Sequence, residues 1–457
     1  MKISDVNNVY FLGVGGIGMS ALARYFLAQG CKVYGYDKTE TALTIELVKE
    51  GVEVHYVEDV DCIPNQFKSE NNHSLVIYTP AIPKDNKEFV YFQQNEIKLY
   101  KRSEVLGLIT QSYFTIAVAG THGKTTTSSM VAHVLTSCGV DCVAFLGGIS
   151  LNFNSNLVLN DNAKIVVVEA DEFDRSFLTL SPNIALITSV DADHLDIYGD
   201  HNEMCKTYQD FVNKINAEGI LITKPELKKE LVFQNTKTYS INQKADYFTD
   251  SITIENGKYN IGINNQQKVE LGLAGVHNVE NALGAFAIAN ELGIENDKIR
   301  EALNSYRGVK RRFEYHVNKQ DIVYIDDYAH HPEELKFAIQ SAKELYPTKK
   351  ITAVFQPHLY SRTRDFIEEF AESLSMLDEL ILLDIYPARE LPIEGINSQL
   401  LLDKTTCKKK KLVKKSALVD YIVNSDLEVL LTLGAGDIDV FVSQIKEKLL
   451  AYNKAKA

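Results

Sequence analysis

Gly120-Thr121-His122-Gly123-Lys124-Thr125-Thr126 opens a helical pattern directly behind an apolar run. Residues of these types at this spacing suit phosphate chemistry. Glycines let the backbone fold around an anion, amides at a helix start favour negative charge, and Lys124 can meet the β- and γ-phosphates of a nucleoside triphosphate. Thr125 is placed to offer its hydroxyl to magnesium. The usual loop has glycine where Val118 stands, so the pattern is a variant. A plain glycine-rich turn is the bland alternative, and the lysine–threonine pair argues against it.

A second glycine loop, Gly13-Val14-Gly15-Gly16-Ile17-Gly18, runs into Met19 and Ser20, and the next apolar run ends at Asp37. By itself this is a dinucleotide fingerprint that favours NAD or FAD, and a nucleotide-sugar dehydrogenase would carry it. Glu169 ends a valine-rich run beside Asp171 and Glu172, and His194 lies within Asp191-Ala192-Asp193-His194. Carboxylate oxygens suit a hard cation such as magnesium. Taken singly, Glu169 could be solvated and His194 a hydrogen-bonded structural histidine. Arg312 could be a surface ion pair, and Asn278 and Asn281, at i and i+3, could be a cap and a surface side chain. Arg362 can grip a carboxylate or phosphate in a fork. His330 and His358 each have an ordinary structural reading, and Tyr328 stands two residues before His330.

Alternating elements position these clusters. Apolar runs at Val9–Leu12, Lys32–Tyr36 and Leu75–Tyr78 predict strands, with a helix from Met19 to Gln29 closed by Gly30. Further strands are predicted at Thr115–Ala119, Ile165–Val168 and Ile184–Val190, and a helix at Thr125–Ser137 stopped by Gly139. Leu221–Val269 looks like short strands joined by Asn, Gly and Gln turns. Ile322–Ile325, Ile351–Phe355, Leu380–Ile385 and Val429–Leu433 read as strands, and Pro332 suits the first turn of a helix Glu333–Leu345. Nearly every polar cluster follows the carboxyl end of an apolar strand, where open parallel sheets place ligands. The expected fold is α/β in three domains. Residues 1–108 form a Rossmann-like doubly wound sheet, 109–309 a P-loop ATPase-like domain, and 310–457 a second Rossmann-like domain.

The 457 residues are too many for one ordinary core. A formal charge of −13 argues against a polyanion-binding surface, so no nucleic-acid partner is expected. The basic run Lys408–Lys411 with Lys414 and Lys415 reads as a solvated segment. Six scattered cysteines read as free thiols in a reducing compartment. No apolar run approaches the roughly 18 residues a bilayer span needs, and no apolar signal region opens the chain. A cytoplasmic protein without membrane contact is expected.

The phosphate loop resembles that of the Mur ligase and folylpolyglutamate synthetase superfamily, and the likeness extends over almost the whole chain. GVGGIGMS (Gly13–Ser20), EADEFD (Glu169–Asp174), DADHLD (Asp191–Asp196), AGVHNVEN (Ala274–Asn281), GVKRRFE (Gly308–Glu314), DDYAHHP (Asp326–Pro332) and FQPHLYSRT (Phe355–Thr363) are similar to Mur ligase blocks and follow in their order. The first and the last two resemble the alanine-adding branch.

The resemblance implies ATP-dependent joining of L-alanine to the lactyl carboxylate of UDP-N-acetylmuramate through an acyl phosphate, in peptidoglycan precursor synthesis. It implies ATP on Gly120–Thr126, Asn278, Asn281, Arg312 and the ribose-facing Asp327. Thr125, Glu169 and His194 would hold Mg2+, with Lys124, His194, Arg312 and His330 catalytic. The UDP substrate would lie on Gly13, Gly15, Gly16, Ile17, Gly18, Met19, Ser20 and Asp37, and the amino acid on Tyr328, His330, His358 and Arg362. A monomer or weak homodimer is expected. A murein-tripeptide recycling ligase is the neighbouring alternative. Two departures stand out: Leu359 replaces an arginine common in relatives, which Arg364 could offset, and Tyr208 occupies the place of a carbamylated lysine, with Lys206 nearby.

Overall fold

The computed structural model describes residues 3–69, 72–191, 198, 200–255, 258–265, 268–273, 275–388 and 390–456. Three sheets carry the fold. The first contains β1 (Asn8–Leu12), β2 (Lys32–Tyr36), β3 (Glu53–His55), β4 (Ser74–Tyr78) and β5 (Leu99–Lys101). Its order is β3-β2-β1-β4-β5, with all neighbours parallel. Val9, Tyr10, Phe11 and Leu12 are all buried, because both faces of this parallel sheet are covered. The strand order reverses between β1 and β4, so the Gly13 loop opens at the point where doubly wound sheets bind ligands.

The second sheet comprises β6 (Phe114–Ala119), β7 (Cys142–Ser150), β8 (Ser155–Val158), β9 (Ile165–Glu169), β10 (Ile184–Ile187), β11 (Ile220–Thr223), β12 (Thr236–Ser240), β13 (Tyr247–Glu255), β14 (Lys258–Ile263) and β15 (Val269–Glu270). Its order is β15-β14-β13-β12-β11-β10-β6-β9-β7-β8. β6 lies between parallel β9 and β10, so the loop after β6 is flanked by the ends of both. The third sheet holds β16 (Glu314–Asn318), β17 (Val323–Asp327), β18 (Ile351–Phe355), β19 (Glu379–Leu382), β20 (Lys409–Leu412) and β21 (Val429–Leu433), ordered β16-β17-β21-β18-β19-β20. Only the β16–β17 pair is antiparallel.

The chain divides into two compact units: Met1–Ser251, Ile261–Val269 and Glu280–Arg307; and Ile252–Asn260, Glu270–Val279 and Gly308–Ala457. Within the first unit, one buried apolar cluster takes in residues of both sheets, from Val9 and Phe26 through Phe145 to Phe211. Asn156 on β8 reinforces that continuity, donating to the Ile17 carbonyl (2.6 Å) and the Ser20 hydroxyl (2.8 Å) on the first helix.

Several element ends differ from the sequence reading. The first helix begins at Ile17 and the phosphate-loop helix at Lys124, since the preceding glycines already act as caps. β17 extends to Asp327, so Asp326 lies inside the strand. β10 stops at Ile187, where Thr188 turns its hydroxyl back to the Ala119 carbonyl (3.2 Å). β19 stops at Leu382. Lys409, Lys410 and Lys411 of the basic run lie on the exposed edge strand β20, a placement that discourages edge-to-edge pairing. All six cysteines are free, and among the described residues no helix is long and apolar enough to cross a membrane.

Candidate functional site

In the first glycine loop, Gly13 has φ +88°, and a Cβ there would come 2.6 Å from Cγ2 of Thr79, just beyond β4. Only glycine fits both demands. Gly16 caps the first helix without a side-chain hydrogen bond, which leaves the helix-start amides for a ligand. Asp37, expected to face a ribose, accepts the Gly15 amide (2.8 Å) with one oxygen and the Thr39 amide (3.2 Å) with the other. Part of its role is therefore to shape the loop. Arg102, which carried no sequence signal, closes on the helix start, and a Cβ on Gly18 would lie 2.9 Å from its Nη1.

The phosphate loop is built just as tightly. Gly120 (φ +128°) is pressed against Thr188 and Gly123 (φ +80°) against Asn281, whose Oδ1 would lie 2.6 Å from an added Cβ. Thr121 Oγ1 meets Ser189 Oγ at 2.6 Å and donates to Asp191 (3.2 Å), while the Thr188 hydroxyl donates to the His122 carbonyl (2.5 Å). His122 stands 3.7 Å from Asp191 at the rim. Lys124 Nζ donates to the Gly120 carbonyl (2.7 Å) and Glu172 (2.8 Å). Burial opposes its charge, but Glu172 and then Glu169 outweigh that effect and hold its pKa above the ordinary value. The other Glu172 oxygen is buried without a hydrogen-bond partner. Thr125 and Thr126 follow on the first turn of the helix.

Glu169, at the end of β9, accepts the Gly147 amide (3.1 Å), and an added Cβ on Gly147 would collide with its carboxylate. The segment after it joins the two loops. Asp171 faces Arg102 (3.8 Å) and Asp174 pairs with Lys101 (3.1 Å), whereas Glu172 turns to Lys124. Asp174 (φ 53°) and Arg175 (φ 55°) adopt left-handed backbone there, strain of a kind found at functional sites. His194 lies outside the described residues. Among those described, no group of three His, Cys, Asp or Glu side chains is arranged to hold a metal. Tyr208 is packed edge-on against Phe177 (5.2 Å), and Lys206 points outward to Glu203 (3.5 Å).

Asn278 and Asn281 are both buried on the helix Val276–Glu291. In the second unit, Arg312 sits between Arg311 (φ 60°) and Phe313 (φ 48°). Asp327 holds that turn, accepting the Phe313 and Ala329 amides at 2.7 Å each. Burial raises its pKa to about 6, against the pull of Arg312 and the two amides. Arg312 lies over the Tyr328 ring (5.5 Å) and 3.7 Å from Glu334.

Tyr328, His330 and His358 form an edge-to-face series at 5.1 and 5.9 Å. His330 Nδ1 lies 3.2 Å from Glu334, whose carboxylate also accepts the His330 and His331 amides. Burial lowers the pKa of His330. Burial, then His330 and Arg362, lower His358 to about 4, so both rings are neutral near pH 7. His358 Nδ1 and Arg362 Nη1 are buried without hydrogen-bond partners. Arg364 pairs with its exposed neighbour Asp365 (2.7 Å) and does not stand in for a cation at Leu359. Arg102 and Glu334 escaped sequence reasoning, and the pairing of Glu172 with Lys124 did too. Glu172 alone had a visible signal, its place in the acidic run.

Family models match in chain order: the Mur ligase family catalytic domain over residues 8–114, the Mur ligase middle domain over 118–289, and the Mur ligase glutamate ligase domain over 311–436. The UDP-N-acetylmuramate–L-alanine ligase of Flavobacterium psychrophilum is 50% identical over 453 residues, covering 98% of this chain and 99% of that one. The crystal structure of the UDP-N-acetylmuramate–alanine ligase of Thermotoga maritima superposes with TM-score 0.83 at 30% identity, covering 97% and 99%. A murein peptide ligase from Psychrobacter arcticus shares the fold at TM-score 0.69 and 21% identity, covering 97% and 98%.

Proposed function

The chain belongs to the Mur ligase family, and from that premise we propose that it joins L-alanine to the lactyl carboxylate of UDP-N-acetylmuramate, converting ATP to ADP and phosphate. One observation carries this reading beyond likeness. Two anion cradles in one compact unit are linked by Glu169–Asp174, whose acids face Arg102 at one cradle and Lys124 at the other. A sugar nucleotide on the Gly13 loop and a triphosphate on the Gly120 loop would approach each other from opposite ends of that segment.

The substrate carboxylate attacks the γ-phosphorus, ADP leaves, and an acyl phosphate forms. The alanine amine then attacks the acyl carbon to form the C–N bond, the acyl C–O bond breaks, and phosphate leaves with its electron pair while the nitrogen gives up a proton. Oxide is too poor a leaving group for direct amide formation, so the protein must position reactants and neutralise phosphate charge. Lys124 is kept charged for that task, and Arg312 would supply a second cation, as the family resemblance implies. Neutral His330 can accept a proton from the alanine ammonium, while Arg362 and His358 offer unspent donor capacity to its carboxylate.

The Thr125 hydroxyl and the Glu169 carboxylate offer oxygen ligands that suit magnesium, and His194 would be a further ligand. Magnesium would screen charge between the phosphate and carboxylate oxygens. Asn278 and Asn281 would contact adenine, and Asp327 the ribose. The three sheet-bearing parts, divided near residues 108 and 309, would serve the sugar nucleotide, ATP and the amino acid. A cytoplasmic location suits these soluble substrates. Purified protein with all three substrates and magnesium should release phosphate stoichiometrically with UDP-N-acetylmuramoyl-L-alanine. No release, or turnover only when a murein tripeptide replaces alanine, would overturn the reading.

A further inference from the structure

The six-residue helix Tyr360–Asp365 carries Arg362 and is entered through a strained backbone, Leu359 at φ 69° and ψ 137°. A leucine holds that conformation only where neighbours impose it. Its N–H donates to the Tyr386 carbonyl (2.9 Å), and its carbonyl accepts the Thr363 amide (3.2 Å) and hydroxyl (2.8 Å). Tyr386 returns its own N–H to the Pro357 carbonyl (2.8 Å) and stacks on the His358 ring at 5.8 Å and 19°. Four residues further on, Glu390 reaches across to the helix. One carboxylate oxygen accepts the Ser361 amide (2.9 Å) and the other accepts the Ser361 hydroxyl.

Those contacts explain a feature that sequence did not reveal. Glu390 lies close enough to affect the titration of His358, yet its carboxylate is committed to Ser361, and Arg362 Nη1 and His358 Nδ1 keep buried, unpartnered donor positions. Ser361 holds Glu390 ionised, with its pKa below the usual carboxylate value although burial opposes this.

We propose that Glu390, with Tyr386, is a positioning residue for the amino-acid site: it pins the start of the Arg362 helix so that Arg362 and His358 meet the carboxylate of the incoming amino acid. This rests on the assignment of Arg362 and His358 above. It also gives the strained Leu359 a use, since a relaxed backbone at that position would release the helix start.

Steady-state kinetics on the full-length protein test it, with ATP, UDP-N-acetylmuramate and L-alanine varied in turn. Glu390→Ala should raise the KM for alanine about 10-fold or more, with kcat and the other two KM values within about 2-fold. Glu390→Gln, which keeps an acceptor for the Ser361 amide, should restore much of the alanine KM. Ser361→Ala should shift it in the same direction by less, and it serves if Glu390→Ala does not fold. Arg362→Ala is the reference. If it leaves the alanine KM unchanged, the amino-acid site itself is misassigned. If it raises that KM while Glu390→Ala and Ser361→Ala do not, Glu390 has no positioning role. An equal loss toward all three substrates would also overturn the proposal, because it would mark a general structural contact.

Discussion

The phosphate loop and the Arg362 region treat their cations in opposite ways. Lys124 is already paired with Glu172 and bonded to the Gly120 carbonyl, so its charge is neutralised from within. Arg362 keeps a buried nitrogen without a partner, and His358 beside it does the same. The first arrangement keeps a buried ammonium charged before its anion arrives. The second leaves donor capacity unspent, at a desolvation cost that only a ligand relieves. One region is built from backbone and counter-charge, the other from side chains with buried, unpartnered nitrogens.

The strongest way to break this contrast is Lys124→Ala. It should cost at least about 100-fold in turnover, as loss of a preorganised charge partner commonly does, and near-normal phosphate release would refute the loop assignment. Glu172→Gln is the subtler probe. Removing the partner of a buried cation should lower stability by about 3 kcal/mol, read from the urea midpoint, and an unchanged midpoint would mean that Lys124 needs no internal counter-charge.

A pH-dependent effect concerns His358. Its pKa is depressed to about 4 from 6.5, so the unfolded chain binds the proton first as pH falls. Its contribution to stability is therefore present above pH 6.5 and lost progressively toward pH 4. His358→Gln should flatten that part of the stability–pH curve, and an unaltered slope would show that burial does not hold this ring neutral.

Much of the nucleotide machinery was legible because it depends on local backbone. Gly120, Gly123 and Lys124 sit at a spacing that predicts a strand–loop–helix turn, and they lie between the strand Phe114–Ala119 and the helix Lys124–Ser137. The strands were equally readable, since parallel strands covered on both faces are continuous apolar runs. Their ends were less so. β17 runs on through two aspartates because Asp326 accepts a hydrogen bond from Thr432 (2.6 Å) on β21, a strand more than 100 residues away. Asp37 shows the limit differently: its position behind the first glycine loop was visible, but its bond to the Gly15 amide was not.

By itself the chain's sequence determined its family, its apolar strands and the two glycine loops, since each is written in residues close together. Tertiary structure decided which charges meet. Glu172 lies 48 positions from Lys124, Arg102 lies 84 from Gly18, and Glu390 lies 29 from Ser361. Electrostatic pairing acts over a few ångströms of space and is indifferent to separation along the chain, so these partners appear only once the sheets have brought the loops together.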